Sequence, residues 1–432
     1  MASHVNPPRG MRDFLPAEKA RREAVLSIIR RTYRAHGFAE IETPVAEDSE
    51  RLHAGLGGDN EKLAFAIMRR GLTAEDLAAA KSPLDLADLG LRFDLTVPLA
   101  RFYASHRAEL PSVFRAIQIA PVWRAERPQK GRYRQFVQCD IDIIGEAGPL
   151  AEVELLTASL AAVRALGISG ATVRINDRRL LVAMLEHFGF APTEHDGVLI
   201  TVDKLDKIGP EGVLAELRER AATPAAVEAL GAFLVRPTTL EFLPFGERQV
   251  RKALPAGLEH EAIGELVEIG EAVSAAAGAS ATGEQFVRYD PWLVRGMGYY
   301  TGPIFEIVHP SLGYSFGGGG RYDGMIGRFL GEDVPATGFS LGFERLIDLV
   351  SLPDEARGNA VAIVYDPAAE PGAIVAARDR FVAEGRETRL LKRPKRLAPA
   401  LDALAADGVG AFVLVEPGAD PAALVPKPLA SR

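Results

Sequence analysis

From Arg134 to Ile144 the chain alternates its side chains with a period of two. Arg134, Phe136, Gln138, Asp140 and Asp142 fall on one side of an extended segment, and Val137, Cys139, Ile141 and Ile143 on the other. The preceding stretch, Phe114 to Trp123, is mostly apolar and extended, and a polar loop around Pro128–Gly131 joins the two. This pattern predicts an antiparallel hairpin with a long, charged tip. A strand inside a sheet buries at least one face, so five large polar or aromatic side chains in register on the other need a reason. Either that face is open to solvent, or it floors a pocket in which carboxylate and amide groups converge on a polar ligand. Arg124 and Arg132, at the two sides of the loop, supply guanidinium forks suited to phosphate.

Around the hairpin the elements are mixed. A helix is predicted from Pro16 to His36, with proline near its start, Gly37 past its end, and Ala24, Val25, Ile28 and Ile29 on one stripe. Phe38 to Thr43 is extended and stopped by Pro44, and Leu91 to Leu95 reads as a strand. Ala191 to Gly283 is helical and alanine-rich, which suggests an insertion. Strands resume at Phe286–Val294 and Ile304–Val308, a glycine-rich turn follows at Gly317–Gly320, and Gly338–Val350 reads as an amphipathic helix. Beyond Pro353 comes a small α/β unit. Its strands are Val361–Tyr365, Thr388–Leu391 and Ala411–Val415, and its helices Gly372–Glu384 and Leu397–Ala406. The expected fold is α+β: a domain of residues 1–350 with a helical insertion at about 190–285, and a short α/β domain of residues 358–432.

Composition narrows the class. A chain of 432 residues exceeds one ordinary core, and 47% hydrophobic with 25% charged residues describes a globular protein. No run of about 18 uncharged apolar residues is present, and Met1 to Leu15 lacks the apolar core of a signal peptide. Cys139 is the only cysteine, which excludes internal disulfides and argues against a cysteine-based zinc site. The cytosol is the expected compartment. A net charge of −8 speaks against wholesale nucleic-acid binding, though not against local basic surfaces. Arg124–Arg134 holds five basic residues and one acid, and Arg386–Arg396 six and one. Either run is a solvated loop or a phosphate contact.

Other nucleotide and hydrolase signatures are missing. No phosphate-binding loop ends in Gly-Lys-Ser/Thr, and the run FGGGGRYDG does not sit between strand and helix of a βαβ unit, so it reads as a turn needing positive φ. There is no serine elbow and no HExxH, and His36, His53 and His309 stand alone, as structural or solvated histidines do.

Six segments in order carry a resemblance: GFAEIETP (Gly37–Pro44), LRFDLTVPLAR (Leu91–Arg101), VWRAERPQKGRYRQFVQCDIDIIG (Val122–Gly145), LVRGMGYYTGPIFE (Leu293–Glu306), GGGRYDG (Gly318–Gly324) and GFSLGFERL (Gly338–Leu346). Over roughly residues 8–350 the chain resembles the histidyl-tRNA synthetases. The first, third and last segments match the three motifs of class II synthetases, and VDKLDK (Val202–Lys207) in the helical region belongs to the same branch. The resemblance implies a catalytic domain built on an antiparallel sheet flanked by helices. It implies activation of L-histidine by ATP to histidyl-adenylate and transfer to tRNA(His), with release of diphosphate and AMP. ATP with Mg²⁺ would be a substrate, no cofactor would be permanently bound, and a homodimer with no membrane association is expected.

Site residues carry over position by position. Arg124 and Arg295 match the residues at the α-phosphate and the substrate carboxylate. Glu126, Arg132 and Phe136 match the ATP site, with Phe136 stacked on adenine, and Arg345 matches the arginine at the far end of the nucleotide. Asp94, Leu95, Thr96 and Gln138 match the wall around the α-amino group. Asp142, Tyr299 and Tyr300 match the imidazole pocket, with Tyr322 nearby. Since a site with buried polar groups can reject the wrong amino acid unaided, no editing domain is expected. Two departures stand out. Gly298 occupies a position where the family has Asp, and the C-terminal unit resembles an anticodon-binding domain yet ends soon after its third strand, at about Pro417–Lys427. Competing readings are the non-catalytic regulatory subunit of ATP phosphoribosyltransferase, which shares the fold, and an RNA-binding or sensor module without ligase activity. Against the first, such subunits lose the ATP-site arginines and the C-terminal domain, whereas Arg124, Arg132 and Arg345 are kept here.

Overall fold

The structure, a computed structural model, describes residues 5–53, 63–129, 131–220, 222–235, 245–278, 286–295, 299–351 and 359–429. Gly298 lies outside the described residues, as does Lys130 in the hairpin tip. The chain forms two compact units, Met1–Val350 and Ser351–Arg432.

In the first unit the strands are β1 (Ala39–Glu40), β2 (Ala46–Asp48), β3 (Phe65–Met68), β4 (Ala87–Leu91), β5 (Phe114–Trp123) and β6 (Gln135–Ile144). They continue as β7 (Thr172–Asp177), β8 (Val287–Tyr289), β9 (Pro303–Val308), β10 (Gly317–Arg321) and β11 (Ala336–Gly342). Eight of them make the central sheet, in the order β1-β5-β6-β11-β10-β9-β7-β8, while β2-β4-β3 form a small sheet beside it. The hairpin of β5 and β6 is paired from Phe114↔Ile144 to Trp123↔Gln135, as the alternation predicts. The interior pairings are antiparallel, but the two edge pairs, β1 with β5 and β7 with β8, are parallel, so the sheet is mixed. On one face of β6, Cys139, Ile141 and Ile143 are fully buried, and helices Pro16–Ala35 and Leu150–Ala165 pack together on that side. The opposite face carries Gln138, Asp140 and Asp142, which are buried as well.

Three segments depart from expectation. Gly317–Gly320 is not a turn but the body of β10, and none of its glycines has positive φ. Gly338–Val350 is not one helix: Ala336–Gly342 is a central strand, followed by the short helix Phe343–Leu346 and a 3₁₀ turn. Its apolar residues Phe339, Leu341, Phe343 and Leu346 satisfy a strand repeat and a helix repeat about equally. Leu91 ends β4 rather than starting a strand, because Asp94 accepts from the Val97 N–H at 3.2 Å and the chain turns into the helix Thr96–His106. The alanine-rich region is mostly helical where it is described, in the helices His195–Val202, Leu205–Glu219 (broken at Gly209–Pro210), Pro224–Leu234, Glu247–Ala253 and Ala262–Ala277, with a non-helical stretch at residues 254–261. Its apolar residues Val198, Leu199, Val202, Leu217 and Leu230 share one core with Leu293, Tyr299 and Tyr300.

The second unit is a sheet of order β13-β12-β14-β15, from β12 (Val361–Tyr365), β13 (Thr388–Lys392), β14 (Ala411–Val415) and β15 (Lys427–Pro428). Helices Pro371–Ala383 and Leu397–Ala406 connect the three parallel strands. A two-residue closing strand, β15, does pair with β14, where the sequence suggested none.

Candidate active site

The polar face of β6 floors a cavity of about 300 Å³. Register across the sheet decides which side chains meet there. On β11, Gly338 lies beside Asp142, Ser340 beside Asp140 and Gly342 beside Gln138. On β10, Gly318 lies beside Ser340. Thirteen of the residues singled out from the sequence line this one cavity: Asp94, Thr96, Arg124, Glu126, Arg132, Phe136, Gln138, Asp142, Arg295, Tyr299, Tyr300, Tyr322 and Arg345. Leu95 is not among them. Its side chain is fully buried, and its carbonyl accepts from Gln118 Nε2 at 2.9 Å, which anchors the Asp94–Thr96 turn to the sheet.

The glycine strand explains itself here. A Cβ on Gly318 would lie 2.5 Å from Nη1 of Arg295, one on Gly319 1.9 Å from the Gly338 carbonyl oxygen, and one on Gly320 2.9 Å from the Tyr300 ring. Real Cβ atoms do not approach that closely. The strand is bare so that Arg295 and Tyr300 can lie on it.

At one end the cavity is acidic and aromatic. The Tyr322 hydroxyl donates to Asp142 Oδ1 at 2.6 Å, and the Tyr299 ring meets the Tyr322 ring edge-on at 6.0 Å. Burial pushes the Asp142 carboxyl up to about 7, against the hydrogen bond from Tyr322. Burial likewise pushes Asp94 up to about 6, opposed by the Val97 N–H and the charge of Arg124. Asp140 is raised well above the usual carboxylate range, by burial first and then by the charge of Asp142. Three buried polar atoms of lining residues have no hydrogen-bond partner: Asp94 Oδ2 and Gln138 Oε1, which accept, and Arg295 Nε, which donates. Buried polar atoms are mostly paired, and these three belong to side chains that line the cavity, where a bound molecule would be within their reach.

The other end is cationic. Arg124 Nε donates to the Phe93 carbonyl at 2.9 Å, and its guanidinium stands 5.1 Å from the Phe136 ring centroid. Arg345 is held by carbonyls, donating to Ser315 O at 2.7 Å and to Gly131 O at 3.3 Å, with its guanidinium 5.1 Å from the Tyr314 ring. Burial and then the like charge of Arg132 pull its pKa down, the mark of cations gathered where an anion is to bind. Arg132 itself sits 3.5 Å from Glu126. Ser340 and Glu344 also line the cavity and were not singled out, and Asp140 lines it too, placed on the polar face from the sequence but given no role there. Asp140 carried a signal, the same period-two face as Asp142. Glu344 carried none of its own: Arg22, which holds it at 2.6 and 2.8 Å, is 322 positions away.

A sequence profile described as Histidyl-tRNA synthetase matches residues 10–346. The histidine–tRNA ligase of Leifsonia xyli subsp. xyli is 59% identical over 99% of each chain. The chain belongs to the histidyl-tRNA synthetase family. A probable histidine–tRNA ligase of Tropheryma whipplei is 43% identical over 98% of both chains. Among solved structures, the histidyl-tRNA synthetase of Nostoc sp. PCC 7120 superposes with a TM-score of 0.73 at 25% identity, over 95% of this chain and 91% of that one. A structure from Bacillus halodurans C, described as an ATP phosphoribosyltransferase regulatory subunit/histidyl-tRNA synthetase, gives 0.73 at 21% identity over 96% and 98%. That second likeness speaks for the fold alone. Among the described residues no helix is long and apolar enough to cross a membrane.

Proposed function

We propose that the cavity holds histidine at its acidic, aromatic end and ATP at its cationic end, and joins them at Arg124 and Arg295. The chain charges tRNA with histidine, as its family and its 59% identical relative indicate. The observation that carries the assignment of the site is the set of orphaned atoms. Asp94 Oδ2 and Gln138 Oε1 suit the N–H groups of an α-ammonium, while Arg295 Nε suits a carboxylate or phosphate oxygen.

In the first step a carboxylate oxygen of histidine attacks the α-phosphorus. The bond from that phosphorus to the bridging oxygen breaks, and diphosphate leaves with its electron pair. Negative charge gathers on the α-phosphate, where guanidinium groups fixed in advance stabilise it without reorganising. Arg124 is fixed for this by the Phe93 carbonyl and Arg295 by Glu306, while Arg345, held by Ser315 and Gly131, meets the far end of the nucleotide. Phe136, beside Arg124, offers its ring to the adenine. In the second step the terminal ribose hydroxyl of tRNA(His) attacks the acyl carbon and AMP leaves.

Among the described residues no group of three or more acidic, histidine or cysteine side chains could hold a metal ion. Magnesium would come with the triphosphate, which needs only one or two protein carboxylates, and Glu126, which lines the cavity, would supply one. It neutralises phosphate charge; no permanently bound cofactor enters the reading.

Imidazole has two ring nitrogens that can each hydrogen-bond. Asp142, Tyr299 and Tyr300 meet them, with Tyr322 holding Asp142. A substrate that left these buried groups unpaired would be rejected by about 10⁴–10⁵, so no editing site is needed. In the second unit Arg389, Lys392, Arg393, Lys395 and Arg396 are exposed around the edge strand β13, a surface suited to RNA phosphates. The working form is a cytoplasmic homodimer, the first class II motif supplying the interface; light scattering that returned a monomer would contradict it.

The deciding experiment is ATP–pyrophosphate exchange with each amino acid in turn. Exchange with histidine alone is expected. Folded protein that gave none would move the reading to the regulatory relative, although Arg124, Arg132 and Arg345 all face the cavity.

A further inference from the structure

Asp140, Ser340, Gly318, Glu306 and Arg174 stand in one register across β6, β11, β10, β9 and β7. Midway along this row Gly318 has no side chain, and the Arg295 guanidinium fills the place, 2.5 Å from where a Cβ would be. Its Nη1 donates to Glu306 Oε1 at 2.7 Å. The other oxygen of Glu306 lies 4.0 Å from Arg174 Nη1. Arg174 in turn donates from Nε to Asp290 at 2.5 Å and lies 3.5 Å from Asp206 of the helical region. Both Arg295 and Glu306 are largely buried, with side chains 21% and 17% exposed.

A carboxylate beside a cation that must meet a phosphate or carboxylate is an electrostatic disadvantage. It is understandable only if orientation matters more than bare charge, since preorganised donors act by being already in place. A guanidinium lying on a bare glycine strand has no side chain beneath it to hold it; Tyr300 interacts with it from one side, and Glu306 is the charged neighbour in register that holds Nη1. We propose that Glu306 is a positioning residue for histidine activation. By holding Nη1 it leaves Arg295 Nε, which has no partner, for the reacting oxygen, and Arg174 keeps Glu306 in place from the far side. The inference rests on Arg295 meeting the reacting groups.

The test is steady-state pyrophosphate exchange by full-length Glu306→Ala, Glu306→Gln, Arg295→Ala and the double variant Glu306→Ala/Arg295→Ala. Positioning predicts that Glu306→Ala loses roughly 10–100-fold in kcat while KM for histidine and ATP moves less than about threefold. Glu306→Gln, which keeps an acceptor in the same place, should recover most of that loss. In the Arg295→Ala background, removing Glu306 should cost nothing further, because the group it holds is gone. Should Glu306→Ala melt early, Arg174→Met, which loosens Glu306 from the far side, gives the same comparison: slower than wild type on its own, and costing nothing further in the Arg295→Ala background. A faster Glu306→Ala enzyme, a loss confined to KM, or losses that multiply with Arg295→Ala would overturn the proposal. Wild type without histidine-dependent exchange would instead overturn the reading of Arg295 itself.

Discussion

Gly338 of β11 lies directly beside Asp142 of β6, and a Cβ on that glycine would sit 1.9 Å from Asp142 Oδ1 and 3.2 Å from the Tyr322 ring. The carboxylate and the phenol that donates to it therefore occupy space that exists only because a neighbouring strand omits a side chain.

Gly338→Ala should thus injure the amino-acid end of the cavity selectively. The backbone on either side is a central strand, so Asp142 is the group that must move. KM for histidine in pyrophosphate exchange should rise roughly tenfold or more, with KM for ATP moving less than about threefold and a stability loss of about 1–3 kcal/mol from overpacking. Equal effects on the two substrates would mean that Asp142 does not face the imidazole.

Asp142 also sets a pH dependence. Its carboxyl is pushed from 3.8 to about 7, chiefly by burial. Between those values the folded chain holds a proton that the unfolded chain has released. Stability from this group is therefore lost as pH rises through that window, in total by up to about 4 kcal/mol. Asp142→Asn removes the titration while keeping an acceptor for Tyr322. The variant should gain melting temperature relative to wild type on going from pH 5 to pH 8, measured without substrate. A difference in melting temperature that is the same at both pH values would refute the burial argument.

At the opposite end, Arg345 is held in place by carbonyls of Ser315 and Gly131 rather than by a carboxylate, so its charge is undiluted. Arg345→Ala should raise KM for ATP roughly 10–100-fold, about the value of a charge-assisted contact to phosphate, and leave KM for histidine nearly unchanged. A histidine-specific defect would place the nucleotide elsewhere.

What the sequence made legible follows from range. The floor of the cavity was readable because alternation along β6 is a local property, and Gln138 and Asp142 belong to it. Strands β12 and β14 and helix Leu397–Ala406 were readable for the same reason, as short apolar runs between glycine and proline breaks. The glycine strand was misread because glycine ordinarily marks turns. Its real cause lies in side chains from other strands: Arg295, Tyr300 and the backbone of Gly338. Leu95 was expected in the wall on the resemblance alone; the turn that brings Asp94 and Thr96 to the cavity buries the Leu95 side chain in the core. Contacts such as Arg22 with Glu344 leave no local trace at all.

That last contact supports a stability prediction. Arg22, in the helix Pro16–Ala35, donates through both Nη atoms to Glu344, and the two side chains are 6% and 5% exposed. Arg12 reaches the same carboxylate, and the Arg22 guanidinium also lies 3.9 Å from the Phe14 ring. Glu344 precedes Arg345 on the short helix Phe343–Leu346, so the pair ties the N-terminal helix to the nucleotide end of the cavity. Removing one partner of a buried ion pair leaves the other charge stranded, which costs about 3–5 kcal/mol. Because Arg12 remains, Arg22→Met should fall near 3 kcal/mol, the low end of that range. Arg22→Met combined with Glu344→Gln should recover part of the loss, since no charge is then left unpaired by Arg22. Urea unfolding of the wild type, both single variants and the pair decides it: a double variant as unstable as the sum of the singles would show that the two side chains stabilise the fold independently.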